Sequence, residues 1–306
     1  MGQGTAPLEE HEILTLQAPA KVNLCLEVLG RREDGYHDLR TLMAPVSLHD
    51  TLSVRRVPEP GRIRVAVEGT PKGVAAGEEN LCHVAARFYF SETGVEGGAH
   101  IELTKRIPVG AGLGGGSSDA AVTILGLEHL YGVPLSPESR TRAGFRVGAD
   151  VPFFFARGPA WVTGIGEQVA PLVECRRVWL VLVYPGIFLS TAKVFSQFRR
   201  GLTSPMRPPT IAQFNFRGLV GRLFNDLQAP AVAAEPAIGE ALDALGRAGA
   251  AERLMSGSGS AVFGVFDRAA AARAAAARVA GHPRAADWQI EVVSTLPPGA
   301  FPFPAG

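Results

Sequence analysis

The chain has 306 residues, 46% of them hydrophobic and 19% charged, with a formal net charge of +1. This is the composition of a folded globular protein; it excludes disorder and a global basic field for nucleic acid. A single hydrophobic core rarely grows past roughly 250–300 residues, so the length points to two domains.

Residues 1–12 are polar and read as a frayed tail. No basic segment followed by an apolar run is seen there, so no secretory signal is expected. No stretch of the chain approaches the roughly 18 uninterrupted apolar residues of a membrane span. Cys25, Cys82 and Cys175 are far apart and form no CxxC pair. They read as buried small hydrophobes in a reducing, cytoplasmic compartment, with neither a disulfide framework nor a structural zinc site.

From Ile13 to Val28 the chain reads as extended. Ala20, Val22, Leu24, Leu26 and Val28 alternate with Lys21, Asn23, Cys25 and Glu27, and in a strand the two sets face opposite ways. Lys21 and Asn23 therefore project from one face, which for such residues alone would be a solvated face. A turn-rich segment, GRREDGYHDLRTL, follows, and then strands around Asp50–Val57 and Arg62–Glu68. Asn80–Thr93 reads as a helix with Leu81, Val84, Ala85 and Phe88 on one face and Gly94 as its C-terminal cap. Ala99–Ile107 alternates as a strand, and a helix is expected from about Ser117 to Tyr131. Ser136 and Pro137 open another helix, which ends at Gly148. The apolar run Phe153–Phe155 reads as a short buried strand, WVTGIGEQVAPL as a hairpin and Arg177–Tyr184 as a buried strand. Residues 200–212 read as irregular. The chain closes with a strand (Ala261–Phe266), a helix (about Arg268–Ala280) and a strand (Gln289–Ser294). Arg268, Arg273 and Arg278 on that helix read as a solvated face. Strands and helices without strict βαβ alternation give an α+β fold, with a domain boundary near 160–175.

Between strand and helix lies PVGAGLGGGSSDAA, residues 108–121, with five glycines among the seven positions from Gly110 to Gly116. Glycines let backbone approach a ligand closely. The helix start that follows offers unpaired N–H groups and a positive dipole end. Together they form an anion cradle suited to nucleotide phosphates. The P-loop pattern fails, because Gly116 rather than Lys precedes Ser117. Gly110, Gly112 and Gly115 match GxGxxG formally, but no second strand ending in an acidic residue follows about 20 positions on.

The segment PVGAGLGGGSSDAA resembles the phosphate-binding motif of the GHMP kinases, and LMSGSGSAVFG (254–264) resembles their C-terminal glycine motif. APAKVNLCLEVLGRREDGYHDLRTL (18–42) and GADVPFFF (148–155) are similar to the diphosphocytidyl-methylerythritol kinases within that superfamily. The motifs occur in the family's order and span roughly 14–295. The resemblance implies a two-domain α+β fold, divided here as 1–165 and 166–306. The N-terminal domain would be like the second domain of a small-subunit ribosomal protein, and the C-terminal domain would be ferredoxin-like. It implies ATP-dependent phosphorylation of a small alcohol carrying a cytidine diphosphate, with Mg²⁺, in a monomer or weak homodimer that engages neither nucleic acid nor membrane.

Carried over by position, Lys21 and Asp150 match the catalytic pair. Pro108, Val109, Gly110, Ala111, Gly112, Leu113, Gly114, Gly115, Gly116, Ser117 and Ser118 match the ATP-phosphate site. Tyr36 and His37 match the groups that hold the cytidine. Asn23, Asp150 and Thr191 match other substrate contacts. No single Glu stands out as a metal ligand, so no protein metal ligand is expected. Asp119 stands where some relatives carry Asn. The resemblance also leaves open another GHMP kinase, acting on homoserine, mevalonate or a sugar, although GRREDGYHDL is not required by those.

Overall fold

The computed structural model describes residues 13–69, 77–198 and 214–302; the expected tail at 1–12 and irregular stretch at 200–212 lie outside the described residues. Strand β1 (Ile13–Arg31) pairs antiparallel with β2 (His37–Val57) along almost its whole length, from Ile13↔Arg55 to Arg31↔His37. The turn-rich reading of 30–42 shrinks to residues 32–36, where Gly35 N–H donates to Arg32 O (3.1 Å). His37–Leu42 is strand instead, because cross-strand pairs hold it: Arg40 faces Glu27 in register and bonds it at 2.6 Å. Strand β3 (Ile63–Glu68) runs parallel to β4 (Gly98–Thr104), and β4 pairs with the second half of β2. The first half of β2 takes the predicted hairpin, β5 (Ala160–Gly164) and β6 (Gln168–Pro171).

Helix α1 (Leu81–Thr93) has the expected ends. Asn80 Oδ1 accepts from Cys82 N, and Gly94 closes the helix in the left-handed region. Its buried face is Cys82, Ala85, Ala86 and Tyr89, one position round from the expected stripe, so Leu81, Val84 and Phe88 pack at the margin. Helix α2 (Gly115–Tyr131) starts two residues earlier than expected, inside the glycine run. Helix α3 (Pro137–Arg146) follows its Ser136 cap. Residues 151–155 form a short helix, α4 (Val151–Phe155), and not the expected strand. A five-residue apolar run fits either state; Pro152 in the first turn suits a helix start. These four helices bury one face of the first sheet around Leu52, Ile101, Leu127, Phe153 and Phe154.

The second half of the chain builds a four-stranded sheet. Strand β7 (Trp179–Tyr184) leads through α5 (Thr191–Gln197), α6 (Phe216–Leu219), the two-residue β8 (Phe224–Asn225), α7 (Gln228–Ala234) and α8 (Pro236–Arg247). Then come β9 (Glu252–Met255), β10 (Val262–Phe266), α9 (Ala269–Ala280) and β11 (Gln289–Ser294). Among the described residues the sheet order is β11-β7-β10-β9, all antiparallel; with α8 and α9 packed on one face this is the ferredoxin-like βαββαβ arrangement. Its other face packs Leu180, Leu182, Phe263 and Val265 against Ala20, Val22, Leu24 and Ala44 of the first sheet. β8 adds to that first sheet, lying parallel to β1 at Cys25–Leu26.

The packing of β1 shows how the site is aimed. Leu16 and Ala18 lie in the core beneath α1–α4, whereas Ala20, Val22 and Leu24 lie in the core between the sheets. A register irregularity between Pro19 and Lys21 separates the two stretches, and a one-residue bulge swaps the faces of a strand. The odd-numbered Lys21 and Asn23 therefore point away from the inter-sheet core, back toward the glycine loop and the start of α4.

Candidate active site

Lys21 and Asn23 are buried, against the solvated face that their residue types alone would suggest. Lys21 Nζ donates to Asn23 Oδ1 (2.7 Å) and stands 3.5 Å from Asp150 Oδ2. Asn23 Nδ2 donates to Thr41 Oγ1 (2.8 Å), and Thr41 Oγ1 donates to Cys25 O (2.7 Å). This chain of bonds fixes which way the Asn23 amide points, so that its oxygen meets the ammonium. Asp150 precedes α4 and makes no capping bond with its side chain; that carboxylate is a little over a quarter exposed and open to the cleft.

The glycine loop is held from both ends of the molecule. Lys21 N–H donates to Leu113 O (2.9 Å), and Ala261 N–H donates to Ala111 O (3.0 Å). Ser256 Oγ donates to Gly112 O (3.0 Å) and accepts from Asn23 N (3.4 Å). A side chain at Gly112 would collide with the Ser256 carbonyl, so the two glycine motifs meet backbone to backbone. Asn225 supports the second motif from below: its Nδ2 donates to Met255 O and to Gly257 O, both at 2.8 Å. Ser118 N–H makes the first helical bond of α2, to Gly114 O, which leaves the preceding N–H groups at the helix mouth.

Two cavities flank this loop. One, about 1240 Å³, is lined by Lys21, Asn23, Tyr36, His37, Asp150 and Thr191, with Phe188, Phe195 and Phe198. The other, about 420 Å³, is lined by residues 108–117 with Asn80, Lys105 and Asp119. Gly110, Gly112, Gly114 and Ser117 line both, so the loop is the wall between them. Ser118 lines neither; it is buried, and its Oγ has no hydrogen-bond partner among the described residues.

The larger cleft has an aromatic end. His37 stacks on Phe195 with ring centroids 4.7 Å apart, and burial, followed by the charge of Arg31, holds its imidazole below the usual range. Tyr36 is 62% exposed at the rim. Thr191 opens α5 and shares a 2.8 Å hydrogen bond with Ser258 of the second glycine motif. Sequence reasoning assigned no role to Thr41, Phe188, Phe195, Asn225 or Ser256. Ser256 lies inside the recognised LMSGSGSAVFG segment, so the signal was present there; the others come together only through tertiary contacts. Among the described residues, no group of three or more His, Cys, Asp or Glu side chains is placed to hold a metal ion, and no helix is long and apolar enough to cross a membrane.

A glycine loop before a helix, a buried lysine facing a carboxylate, and a second glycine motif from a ferredoxin-like half define a small-molecule phosphotransferase of the GHMP class. Residues 80–158 match the GHMP kinases N terminal domain, and residues 211–283 match GHMP kinases C terminal. The chain is 44% identical over 279 residues to the 4-diphosphocytidyl-2-C-methyl-D-erythritol kinase of Syntrophotalea carbinolica, covering 90% of this chain and 98% of that protein. It is 42% identical to the kinase of the same name from Paramagnetospirillum magneticum, over 92% of this chain and 98% of that one. A crystal structure of 4-(cytidine 5'-diphospho)-2C-methyl-D-erythritol kinase superposes with a TM-score of 0.77 at 38% identity, covering 92% of this chain and 99% of that one. The chain belongs to the 4-diphosphocytidyl-2-C-methyl-D-erythritol kinase family of GHMP kinases. Homoserine kinase from Cytophaga hutchinsonii, at 17% identity and a TM-score of 0.71 over 96% of this chain and 98% of its own, shares the fold.

Proposed function

We propose that the chain transfers the γ-phosphoryl group of ATP to the 2-hydroxyl of 4-diphosphocytidyl-2-C-methyl-D-erythritol. The products are the 2-phosphate and ADP, in the non-mevalonate route to isoprenoid precursors. The observation that carries this reading is the glycine loop standing as a wall between two cavities, with Lys21 and Asp150 facing each other beside it. ATP would sit on the 420 Å³ side with its phosphates on residues 108–117, and the alcohol on the 1240 Å³ side. Tyr36 and His37 would hold the cytosine at the aromatic end, and Asn23 and Thr191 would orient the erythritol diphosphate. The kinases named above, at 38–44% identity, support the choice of alcohol.

Phosphoryl transfer asks mainly for positioning and charge stabilisation. Asp150 accepts the proton of the attacking hydroxyl. An alcohol is far too weak an acid to give up its proton to a carboxylate beforehand, so the proton leaves as the new P–O bond forms and the bond to the ADP oxygen breaks. Lys21, held by Asn23 and facing Asp150, places positive charge beside the group in flight. Mg²⁺ would be held by the phosphates of the nucleotide rather than by a group of protein carboxylates, and would supply positive charge that offsets theirs. We take the chain to act as a monomer or weak homodimer, and three free thiols suit a cytoplasmic setting. Residues 1–165 would carry the catalytic pair and the phosphate loop, and 166–306 the second glycine motif and Thr191.

The test is ATP-to-ADP turnover by the purified protein with Mg²⁺, comparing 4-diphosphocytidyl-2-C-methyl-D-erythritol with homoserine and mevalonate. Turnover with the cytidine substrate alone, yielding its 2-phosphate, is expected. Turnover only with another alcohol would keep the phosphotransferase chemistry and discard the cytidine roles of Tyr36 and His37.

A further inference from the structure

The reaction as proposed makes no use of a buried charge cluster at the foot of the glycine loop. Lys105 follows the last residue of β4, and its Nζ donates to carboxylate oxygens of Asp50 and of Asp119, the latter at 2.7 Å. Asp50 comes from β2, and its second oxygen accepts from Arg106 N–H (2.5 Å) and Ile107 N–H (2.9 Å). The three side chains are 4%, 0% and 4% exposed for Lys105, Asp50 and Asp119. Pro108, the next residue, begins the loop, and Asp119 lies in the second turn of α2, which ends it. A single ammonium thus ties the strand end of the loop to its helix end, with β2 as the fixed anchor.

Buried ionic clusters are weak sources of net stability, because desolvation offsets much of the attraction; what they fix is geometry. We propose that Lys105, Asp50 and Asp119 form a clamp that positions the glycine loop for phosphate binding. The three are positioning residues that act through the loop backbone, and the inference rests on the reading that residues 108–117 hold the phosphates of ATP. Burial pushes the Asp119 carboxyl up to about 8, Lys105 works the other way, and Asp50 adds to the rise. Asparagine, neutral and of the same shape, keeps an oxygen for Lys105 and is the conservative replacement.

The test compares wild type, Asp119→Ala and Asp119→Asn. It measures KM and kcat for ATP at saturating alcohol, and binding of inorganic tripolyphosphate by calorimetry, with thermal melts as a check on folding. A loop displaced by up to about 1 Å costs roughly 10- to 100-fold. Asp119→Ala is therefore expected to weaken ATP and tripolyphosphate by a common factor in that range while leaving the KM of the alcohol alone. Asp119→Asn is expected to restore both. If Asp119→Ala weakens ATP but not tripolyphosphate, the carboxyl reads the base and the clamp is overturned; a folded Asp119→Ala with both affinities intact overturns it as well. Should Asp119→Ala fail to fold, Asp50→Asn breaks the same clamp from the β2 side, because its one oxygen stays with the Arg106 and Ile107 N–H groups and its NH2 then faces the Lys105 ammonium, and it must show the common loss. A wild type that binds tripolyphosphate but turns over none of the alcohols counts against the proposed reaction, and the clamp is then decided by tripolyphosphate alone.

Discussion

Two glycines bracket α2, and they separate a backbone effect from a site effect. Gly114 precedes the helix with φ 68° and Gly132 follows it with φ 69°. Alanine in the left-handed region costs about 1–2 kcal/mol wherever it stands, so both G114A and G132A should lose that much stability. For a chain of this size that is a fall in Tm of roughly 2–8 °C. The surroundings differ. A methyl group at Gly132 would meet nothing within 4 Å, whereas one at Gly114 would stand 3.0 Å from Lys21 Cγ, 3.1 Å from Cε and 3.4 Å from Asp150 Oδ2. The lysine stem must then yield by a few tenths of an ångström, with the ammonium it carries 3.5 Å from Asp150. Misplacement by about 1 Å can cost about 100-fold, so a few tenths should cost roughly 3- to 10-fold in kcat, or about 1 kcal/mol in the barrier. Steady-state turnover at saturating ATP and alcohol, beside thermal melts of both variants, reads this directly. Equal Tm losses with a kcat loss in G114A alone is the expected pattern. Wild-type kcat in G114A, or an equal kcat loss in G132A, would refute the view that the loop sets the spacing of the Lys21–Asp150 pair.

Asp150→Asn should lower kcat by roughly 10²–10⁴-fold; near-normal turnover would remove Asp150 as the proton acceptor. Tyr36→Ala should raise the KM of the cytidine substrate, since base–aromatic stacking contributes roughly 1–3 kcal/mol, and should leave the KM for ATP unchanged. An unchanged substrate KM would place the cytosine elsewhere in the cleft. Asp119 also makes stability depend on pH. Burial raises its carboxyl to about 8 despite Lys105, with Asp50 and the Cys82 thiol the other titratable groups facing it. The folded chain keeps a proton there that the unfolded chain gives up above about pH 4, so this site costs stability as pH rises from about 4 to about 8. Asp119→Asn removes that dependence. Its melting temperature should gain on wild type between pH 5 and pH 8 and stop gaining above that window, and a constant gap across the range would contradict the protonated carboxyl.

What the sequence discloses and what it hides divide along a physical line. Features set by neighbours in the chain were legible: the Asn80 and Gly94 caps of α1, the β5–β6 hairpin, the glycine run before α2 and the β10-α9-β11 ending. Features set by distant partners were not. The run Phe153–Phe155 carries no periodicity long enough to choose between helix and strand, and its packing against α2 decides. His37–Leu42 looks like a turn until Glu27 and its neighbours pair with it. Helix α8 and strand β9 went unread although α8 buries Ile238, Ala241, Leu242 and Leu245 on one side.

The catalytic pair lies on both sides of that line. The residue types and spacing of Lys21 and Asn23 named the face they share, but taken alone a lysine and an asparagine on a strand face water. Three long-range facts make that face an interior one. The irregularity at Pro19–Lys21 turns it away from the inter-sheet core, Thr41 across the strand pair orients Asn23, and Ser256 from the second half of the chain locks Gly112 over it. Burial of an ammonium is tolerable only where a carboxylate and a carbonyl oxygen meet it, and Asp150 and Asn23 supply both. The buried lysine is thus a consequence of the two halves closing on one another. A substitution that loosens their junction at Ser256 should disturb Lys21 without touching it.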